Sequence, residues 1–296
     1  MNTERVKNVL IVLLSVIAIS LASLIFVTEE GHTLSAAQEE AIIAILERDD
    51  VHFTGEMMRD FRPVRQMEMH RYDYDIESLA GRFFGDEKFS DDEDYPERIF
   101  MAEDGSKIMA YSSWTNVVTF IMGDGISNAA FNAAPSAATA GLLAMEYIEG
   151  LMGMPSDMQA FPTVVGERGN WVVNFFTTYR GHVLHNDHIR VNVTENGITN
   201  IMYSRVYFNG FVGENRNIFP PNEALMALVN HMRRAEQVTG RIFIDDMRLS
   251  YLLMEEGEQS VGIPVYVFSV HLGGDLRWDY IFNAYTNEFI RDERSL

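Results

Sequence analysis

The hydrophobic pattern of the chain begins with one long apolar segment, residues 9–27, which carries no charged side chain. A helix of about 20 apolar residues is long enough to cross a bilayer. Arg5 and Lys7 precede the segment, and the positive-inside rule keeps such a basic flank in the cytoplasm. The pattern predicts a single-pass cell-membrane protein in which residues 1–30 form a cytoplasmic tip and transmembrane anchor and the C-terminal bulk is extracytoplasmic. A cleaved signal peptide is the alternative, because residues 20–22 offer the small side chains that a signal peptidase needs.

One face of the predicted anchor carries small side chains. Ser15, Ala18 and Ala22 follow the i, i+3, i+7 spacing that places them on the same side of a helix. Small side chains let two membrane helices approach closely. These three residues are therefore predicted to bind a partner in the membrane, although similar stripes also arise in membrane helices without such a partner.

Three amphipathic patterns beyond the anchor predict helices. The first begins at Ser35, which forms a capping-box pattern with Gln38. The second begins after Ser136 and the third after Asn222, both of them residue types that cap helices. Each helix is followed by strand-like segments, so the same plan occurs three times.

The strand patterns complete a predicted α+β fold. Glu195-Asn196-Gly197 is typical of a tight hairpin turn, and the acidic run 90–94 predicts a solvated loop. We therefore predict an N-terminal transmembrane helix followed by repeated units, each a helix packed on a small antiparallel sheet. The units are predicted at residues 31–130, 131–215 and 216–296. Strands are predicted at 51–53, 64–74, 107–122, 171–179, 188–194, 198–208, 246–253, 264–272 and 276–284.

The amino-acid composition excludes some classes of partner and some kinds of chemistry. The chain of 296 residues carries 23 basic and 43 acidic side chains, which gives a formal net charge of −20. A surface this acidic repels phosphate backbones, so nucleic acid is not expected as a partner. The chain has no cysteine, which excludes disulfides, thiol catalysis and thiolate metal sites.

No residue pattern predicts an active site. The sequence lacks G-x-S-x-G, H-E-x-x-H and Walker A motifs. His182, His185 and His188 are the best metal candidates, but their spacing around a predicted turn does not by itself bring four ligands together. Asp245 and Asp246 are adjacent on a strand and therefore point to opposite faces. We predict no catalytic residue, no cofactor and no metal ion.

Other conspicuous side chains are assigned to the surface or the core. The glutamates at 255, 256 and 258 are predicted to be solvated in a hairpin loop. Six aromatic side chains alternate along two predicted strands, which favours core packing over a ligand site. These aromatic residues are Trp171, Phe175, Tyr179, Trp278, Tyr280 and Phe282.

Seven segments of the chain carry a family resemblance. They are Leu34–Gln38, Trp171–Phe175, Tyr179–Leu184, Val191–Gly197, Leu249–Tyr251, Gly262–Tyr266 and Asn283–Glu288. These segments resemble the YycH and YycI family of membrane-anchored auxiliary proteins, which accompany an essential cell-wall sensor kinase in Gram-positive bacteria. YycI is the closer match by length, and the last segments are also similar in style to secreted PepSY-type modules. His185 and the acidic run 91–94 depart from the family pattern.

The resemblance implies a non-enzymatic regulator that binds a sensor histidine kinase in the membrane, and it admits a YycH-like protein as a further partner. The residues themselves leave two alternatives open. One is an envelope binding module or protease inhibitor that captures a peptide or a wall fragment. The other is an envelope hydrolase that uses Asp or Glu, which is less supported because no carboxylate pair is placed by its spacing.

Overall fold

The computed structural model describes residues 31–94, 96–126, 135–153, 158–164, 170–256, 259–274 and 277–295. Within these ranges the chain forms four helices and fifteen strands. The helices are α1 Ala36–Arg48, α2 Ile76–Phe84, α3 Ala137–Met152 and α4 Pro221–Arg234. The strands are β1 Val51–Phe53, β2 Val64–Arg71, β3 Phe89–Asp94, β4 Glu97–Ala102, β5 Lys107–Ser112, β6 Val117–Ile126, β7 Met158–Val164, β8 Trp171–Tyr179, β9 His182–Thr194, β10 Gly197–Ser204, β11 Val206–Arg216, β12 Ile242–Glu256, β13 Gln259–His271, β14 Arg277–Asn283 and β15 Phe289–Ser295.

Two hydrophobic cores divide the structure into two lobes. The first core lies between residues 74 and 203 and joins α2 and α3 to β4, β5, β6, β8, β9 and β10. We call this part the central lobe. The second core joins α1 and β1 to α4, β12, β13 and β14. We call it the terminal lobe, because it brings residues 34–61 next to residues 218–284.

All fifteen strands belong to one hydrogen-bonded sheet. Its longest path runs β11-β2-β13-β12-β9-β10-β6-β5-β4-β3. Most neighbours are antiparallel, but β1 and β9 each lie parallel to β12. The β9–β12 pairing joins the two lobes through Ser250 with Val183 and Tyr251 with Leu184. Strand β2 pairs with both β11 and β13 and forms a second connection.

This architecture contradicts the predicted fold of repeated helix-plus-antiparallel-sheet units. The strands form one mixed sheet. Helix α1, which was expected to open a separate first unit, shares its core with α4, and Leu46 and Leu228 are both buried there. Periodicity along the chain indicates which residues are buried but not which distant segment buries them. Pairings such as Val51 with Ile242 therefore lie beyond what the local pattern predicts.

Two of the three predicted helix starts are confirmed. Ser35 and Gln38 form the predicted capping box, and the Ser136 side chain caps α3. Asn222 is not the cap of α4, because that helix begins at Pro221. The fixed φ of proline suits the first helical turn, so no side-chain cap is required there.

Helix α2 was not predicted. The Asp75 carboxylate caps it by accepting a hydrogen bond from the amide of Ser78 at 3.0 Å. Its apolar face is short, and the buried side chains belong to the core of the central lobe. The buried residues of α2 are Ile76, Ala80, Phe83 and Phe84.

The acidic run is a strand rather than the predicted loop. Phe89–Asp94 form β3, which ends the sheet path. Arg98 on β4 donates two hydrogen bonds to the Asp91 carboxylate, at 3.0 and 2.7 Å. Charged side chains on an edge strand discourage pairing with another sheet. The position of β3 at the edge of the sheet and the ion pair between Arg98 and Asp91 explain why this acidic segment forms a strand.

No helix in the described ranges is long and apolar enough to span a membrane. The described helices have between 9 and 16 residues, fewer than the roughly 20 that a bilayer requires. The predicted transmembrane helix is not among the described helices, so the cell-membrane localisation that was derived from it is not supported. The apolar segment 9–27, with Ser15, Ala18 and Ala22, lies outside the described residues.

Candidate functional site

A cleft opens where the two lobes meet, with a cavity of about 610 Å³. Strands β2, β9, β10, β11, β12 and β15 contribute to its wall, together with the turn between β5 and β6. Clefts between domains are frequent ligand sites. Four arginines and two glutamates line the cavity, so basic side chains outnumber acidic ones there although the whole chain has a net charge of −20. These residues are Arg71, Arg190, Arg205, Arg291, Glu255 and Glu293.

Strand β9 builds the cleft because it belongs to both lobes. Its first part pairs with β12 and its second part with β10, and its register against β8 shifts in between. Asn186 bridges this irregular segment. Its side-chain oxygen accepts a hydrogen bond from the amide of Leu253 at 2.7 Å, and its carbonyl accepts one from Ser204 Oγ at 2.7 Å. The irregular segment lies in the wall of the cleft.

An ion pair between β2 and β12 forms one part of the wall. Arg71 Nη2 donates to Oε2 of Glu255 at 2.7 Å, and Nε donates to the other carboxylate oxygen. Arg71 Nη1 also donates to the carbonyl of Ser113 at 2.5 Å. The next residue, Trp114, lines the cleft and is 69% exposed. Glu255 is exposed, as predicted, but it belongs to β12 rather than to a loop, and it lines the cleft.

A second ion pair is buried beside the cleft. Asp187 is fully buried, and its Oδ1 lies 2.5 Å from Nε of Arg205. The backbone amide of Arg205 donates to the hydroxyl of Tyr74 at 2.7 Å. Loss of either charge would leave the other buried without compensation. Arg205 therefore stabilises the fold through its ion pair with Asp187.

A third charged group is centred on Glu293 of β15. His185 Nε2 lies 3.0 Å from Oε2 of Glu293, and Arg291 Nη2 lies 2.6 Å from Oε1. Burial alone would raise the pKa of Glu293, but the hydrogen bond and charge of His185 outweigh burial and lower this pKa to about 2. Glu293 is therefore ionised at neutral pH. His185 is only 5% exposed, and its Nδ1 has no hydrogen-bond partner among the described residues.

Arg190 differs from the other three arginines because a neutral amide holds it. Its Nε donates to Oδ1 of Asn174 at 3.1 Å, and Asn174 is 8% exposed. No carboxylate of the described residues lies within 4.0 Å of its guanidinium. Burial lowers the pKa of Arg190, and the more distant charges of Asp279 and Glu293 only partly oppose this. An anion from outside the chain would stabilise such a cation.

His188 lies between these groups but adds no charge at neutral pH. Its Nδ1 is 3.0 Å from the carbonyl oxygen of His185. Burial and the positive charge of Arg190 together lower the pKa of His188 to about 4. The positive charge of the cleft at neutral pH therefore comes from its arginines.

The three histidines singled out as metal candidates are separated along one continuous strand. The predicted turn at 186–187 is absent, and β9 runs from His182 to Thr194. His182 packs against the ring of Tyr251 in a different cavity, whereas His185 and His188 line the cleft. Among the described residues, no group of three or more His, Asp or Glu side chains is placed to hold a metal ion.

The other residues examined in the sequence have structural partners. Asp245 pairs with Arg277 at 3.0 Å and Asp246 pairs with Arg248 at 2.7 Å, so the two carboxylates do not share a site. The aromatic residues are in the predicted packing positions. Phe175, Tyr280 and Phe282 are buried in the two cores, and Trp171, Tyr179 and Trp278 pack partly buried against hydrophobic clusters.

The arginines of the cleft were missed because they lie far apart in the sequence, between positions 71 and 291. The only local signal was at Arg190. Its neighbours Ile189, Val191 and Val193 are fully buried, so alternation along a strand indicates that Arg190 points away from the core. Nothing in the local pattern indicated that this outward face meets β15.

No family model matches the chain, and no curated protein matches it. Among solved structures, that of an uncharacterized protein from Eubacterium rectale is similar with a TM-score of 0.49 and 15% identity, over 82% of this chain and 91% of that one. The C-terminal domain of Bacillus megaterium YpeB is similar with a TM-score of 0.35 and 11% identity, over 76% and 98% of the two chains. The resemblance of the chain to YycI and to PepSY-type modules stays a prediction. With TM-scores below 0.5, neither similarity is evidence for a function.

Proposed function

We propose that the chain is a non-enzymatic binding module whose cleft receives a carboxylate of a protein or peptide partner. The observation that carries this proposal is Arg190. Asn174 orients its guanidinium through Nε, and no described residue occupies its two Nη groups. A guanidinium binds a carboxylate through parallel hydrogen bonds from two of its nitrogens. Arg190 therefore has the charge and the free donors that such a ligand needs.

The charge around the cleft favours a small anionic group over a polyanion. Four arginines and two glutamates line the cavity, but the chain as a whole has a formal net charge of −20. The field of the whole protein repels an extended polyanion, whereas the local excess of positive charge attracts a single carboxylate. This balance supports a peptide ligand, one of the alternatives that the sequence left open.

The state of the cleft carboxylates supports binding over hydrolysis. A general acid or base works best with a pKa near the working pH. The pKa of Glu293 is lowered to about 2 by its surroundings, and Glu255 is held by two hydrogen bonds from Arg71. Asp187 is fully buried against Arg205. Glu293 is therefore a poor proton donor at neutral pH, and the other two carboxylates are engaged by arginines.

The identity of the partner is a finer proposal. The resemblance to YycH and YycI proteins in Tyr179–Leu184 and Asn283–Glu288 supports a sensor histidine kinase. We propose that the kinase, alone or with a YycH-like protein, supplies the carboxylate. Binding would then bias the kinase between two states through its different affinity for each of them.

Titration of the protein with N-acetylglutamate, followed by NMR of the side-chain amide of Asn174 and the Nε–Hε group of Arg190, tests the carboxylate site. We expect saturable shifts with N-acetylglutamate and much weaker ones with the neutral analogue N-acetylglutaminamide, which has no carboxylate. The Arg190→Gln variant should lose the response at Asn174, whereas Arg82→Gln, on the exposed side of α2, should keep it. Equal responses to both compounds, or no saturable response, would refute a carboxylate site.

Co-purification tests the proposed partner. The wild-type protein should retain a sensor histidine kinase, and Arg190→Gln should retain clearly less of it than Arg82→Gln does. Retention of no kinase by the wild type would reject the kinase as the partner while leaving the carboxylate site to the NMR result. Equal retention by both variants would place the kinase contact outside the cleft.

A further inference from the structure

The face of the central lobe opposite α2 and α3 is open. Along its strands Phe100 and Phe120 point into the core with both helices, so alternate residues point to the other face. We call this other side the outer face. On it Ile99, Met101 and Ile121 are 38%, 43% and 39% exposed. The four described helices all pack in the two cores, so no described helix covers the outer face.

The outer face is continuous with the cleft through one row of residues in register across six strands. Adjacent strands lie about 4.8 Å apart, so the row is about 24 Å long. It begins at Arg190 in the cleft and ends at the edge strand β3. The register pairs are Arg190 with Met202, Met202 with Thr119, Thr119 with Ala110, Ala110 with Ile99, and Ile99 with Asp92.

A second row beside it is apolar. Ile121 pairs with Ile108, and Ile108 pairs with Met101. Because cross-strand partners lie on the same face of a sheet, these three side chains form one strip with Ile99. The strip covers β6, β5 and β4, between the cleft and the edge strand.

The two ends of the first row carry opposite charges. Arg190 lies at one end, and no described carboxylate pairs with it. Asp92 lies at the other end, is exposed, and takes part in no ion pair with a described residue. A ligand that matches this face therefore has an acidic group, then apolar groups, then a basic group.

We infer that the outer face binds an extended peptide segment of a partner protein, about seven residues long at roughly 3.3 Å per residue. An acidic side chain or a C-terminal carboxylate binds Arg190, apolar side chains cover Ile99, Met101 and Ile121, and a basic side chain lies at Asp92. This inference rests on the proposed carboxylate site and extends it to the whole ligand. Charge complementarity at both ends fixes the direction of the segment.

A second copy of the chain fits the face less well. A pair of outer faces related by a two-fold axis would also bring Arg190 near Asp92. However, Arg190 lies within a cleft between two lobes and is only partly exposed. A narrow extended segment can enter such a cleft, whereas the flat face of another sheet cannot.

Selection from a phage-displayed library of random nine-residue peptides tests the inference. The wild type should enrich peptides with an acidic residue near one end, apolar residues between, and a basic residue near the other end. Arg190→Gln should weaken the best peptide about tenfold or more, and Ile121→Asn should weaken it about fivefold. Asp92→Asn should remove the preference for the basic residue. Leu142→Asn, at a residue 65% exposed on α3, is the matched control and should change affinity less than twofold.

The outcomes separate this inference from the function it rests on. If N-acetylglutamate binds at Arg190 but no peptide with this charge pattern is enriched, the outer face is not the binding surface and the carboxylate site stands. If neither ligand binds, both proposals fail. A dimer in light scattering that Ile121→Asn dissociates would assign the face to a second copy and overturn the inference. Thermal melting of each variant verifies that it is folded.

Discussion

Arg248 and Arg190 lie on neighbouring strands of the sheet and differ in whether carboxylates balance their charge. Arg248 in the terminal lobe donates to Asp246 at 2.7 Å and to Asp279 at 3.1 Å, and Ser269 donates to the second oxygen of Asp279 at 2.6 Å. Among the described residues, Arg190 in the cleft has only the amide of Asn174 as a partner. Both arginines are partly buried, but of the two only Arg248 has its charge balanced by described carboxylates.

The partners of each arginine determine the direction in which its pKa shifts. Burial alone would lower the pKa of Arg248, but Asp279 and Asp246 outweigh burial and raise it. At Arg190 burial prevails and lowers the pKa. A buried charge without a partner of opposite charge reduces the stability of the fold. Such a charge is typically retained where a function, such as ligand binding, requires it. The comparison therefore separates an arginine that holds the fold from one that is available to a ligand.

The largest expected effect is at Arg248. Arg248→Gln would leave the buried carboxylate of Asp279 without its cation, so we expect a loss of about 2–4 kcal/mol in the free energy of unfolding. Urea denaturation measures it. Arg234→Gln, at an exposed residue near the end of α4, is the control and should change stability by less than about 0.5 kcal/mol. A loss below about 1 kcal/mol at Arg248 would show that its pairs are screened by solvent.

A smaller effect is expected from pH at His188, next to Arg190. Its pKa is about 4 in the folded protein and about 6.5 when unfolded. Between these values the unfolded state binds more protons, so stability should fall as the pH falls from about 6.5 to about 4. His188→Gln should reduce this fall by about 2–3 kcal/mol in urea titrations at a series of pH values. An unchanged pH profile in His188→Gln would mean that His188 is solvated.

The smallest effect on stability is expected at Arg190 itself. Arg190→Gln removes a desolvated cation and leaves no described carboxylate unpaired. The free energy of unfolding should therefore stay within about 0.5 kcal/mol of wild type or rise slightly. A loss of more than about 2 kcal/mol would instead assign Arg190 a structural role like that of Arg248.

The sequence predicted local features well and long-range ones poorly. The capping box at Ser35, the cap at Ser136 and the hairpin turn before Gly197 depend on a few adjacent residues, and all three are present. The pairing of β1 with β12 and the meeting of β9 with β15 across the cleft depend on segments far apart in the chain. No spacing pattern in one sequence reports such contacts.

The candidate site likewise combines a local feature that the sequence predicts with long-range contacts that it does not. Alternation along β9 places Arg190 on the outward face of the strand. That Arg190 lacks a carboxylate follows only from the positions of Asn174, Asp279 and Glu293, which come from three other strands.

A crystal structure of the protein with N-acetylglutamate tests the central claim most directly. The account predicts a ligand carboxylate within about 3 Å of the Nη groups of Arg190, with the Arg71–Glu255 and Arg205–Asp187 pairs unchanged. A ligand bound only at other arginines, or an Arg190 that turns to a carboxylate of its own chain, would contradict it.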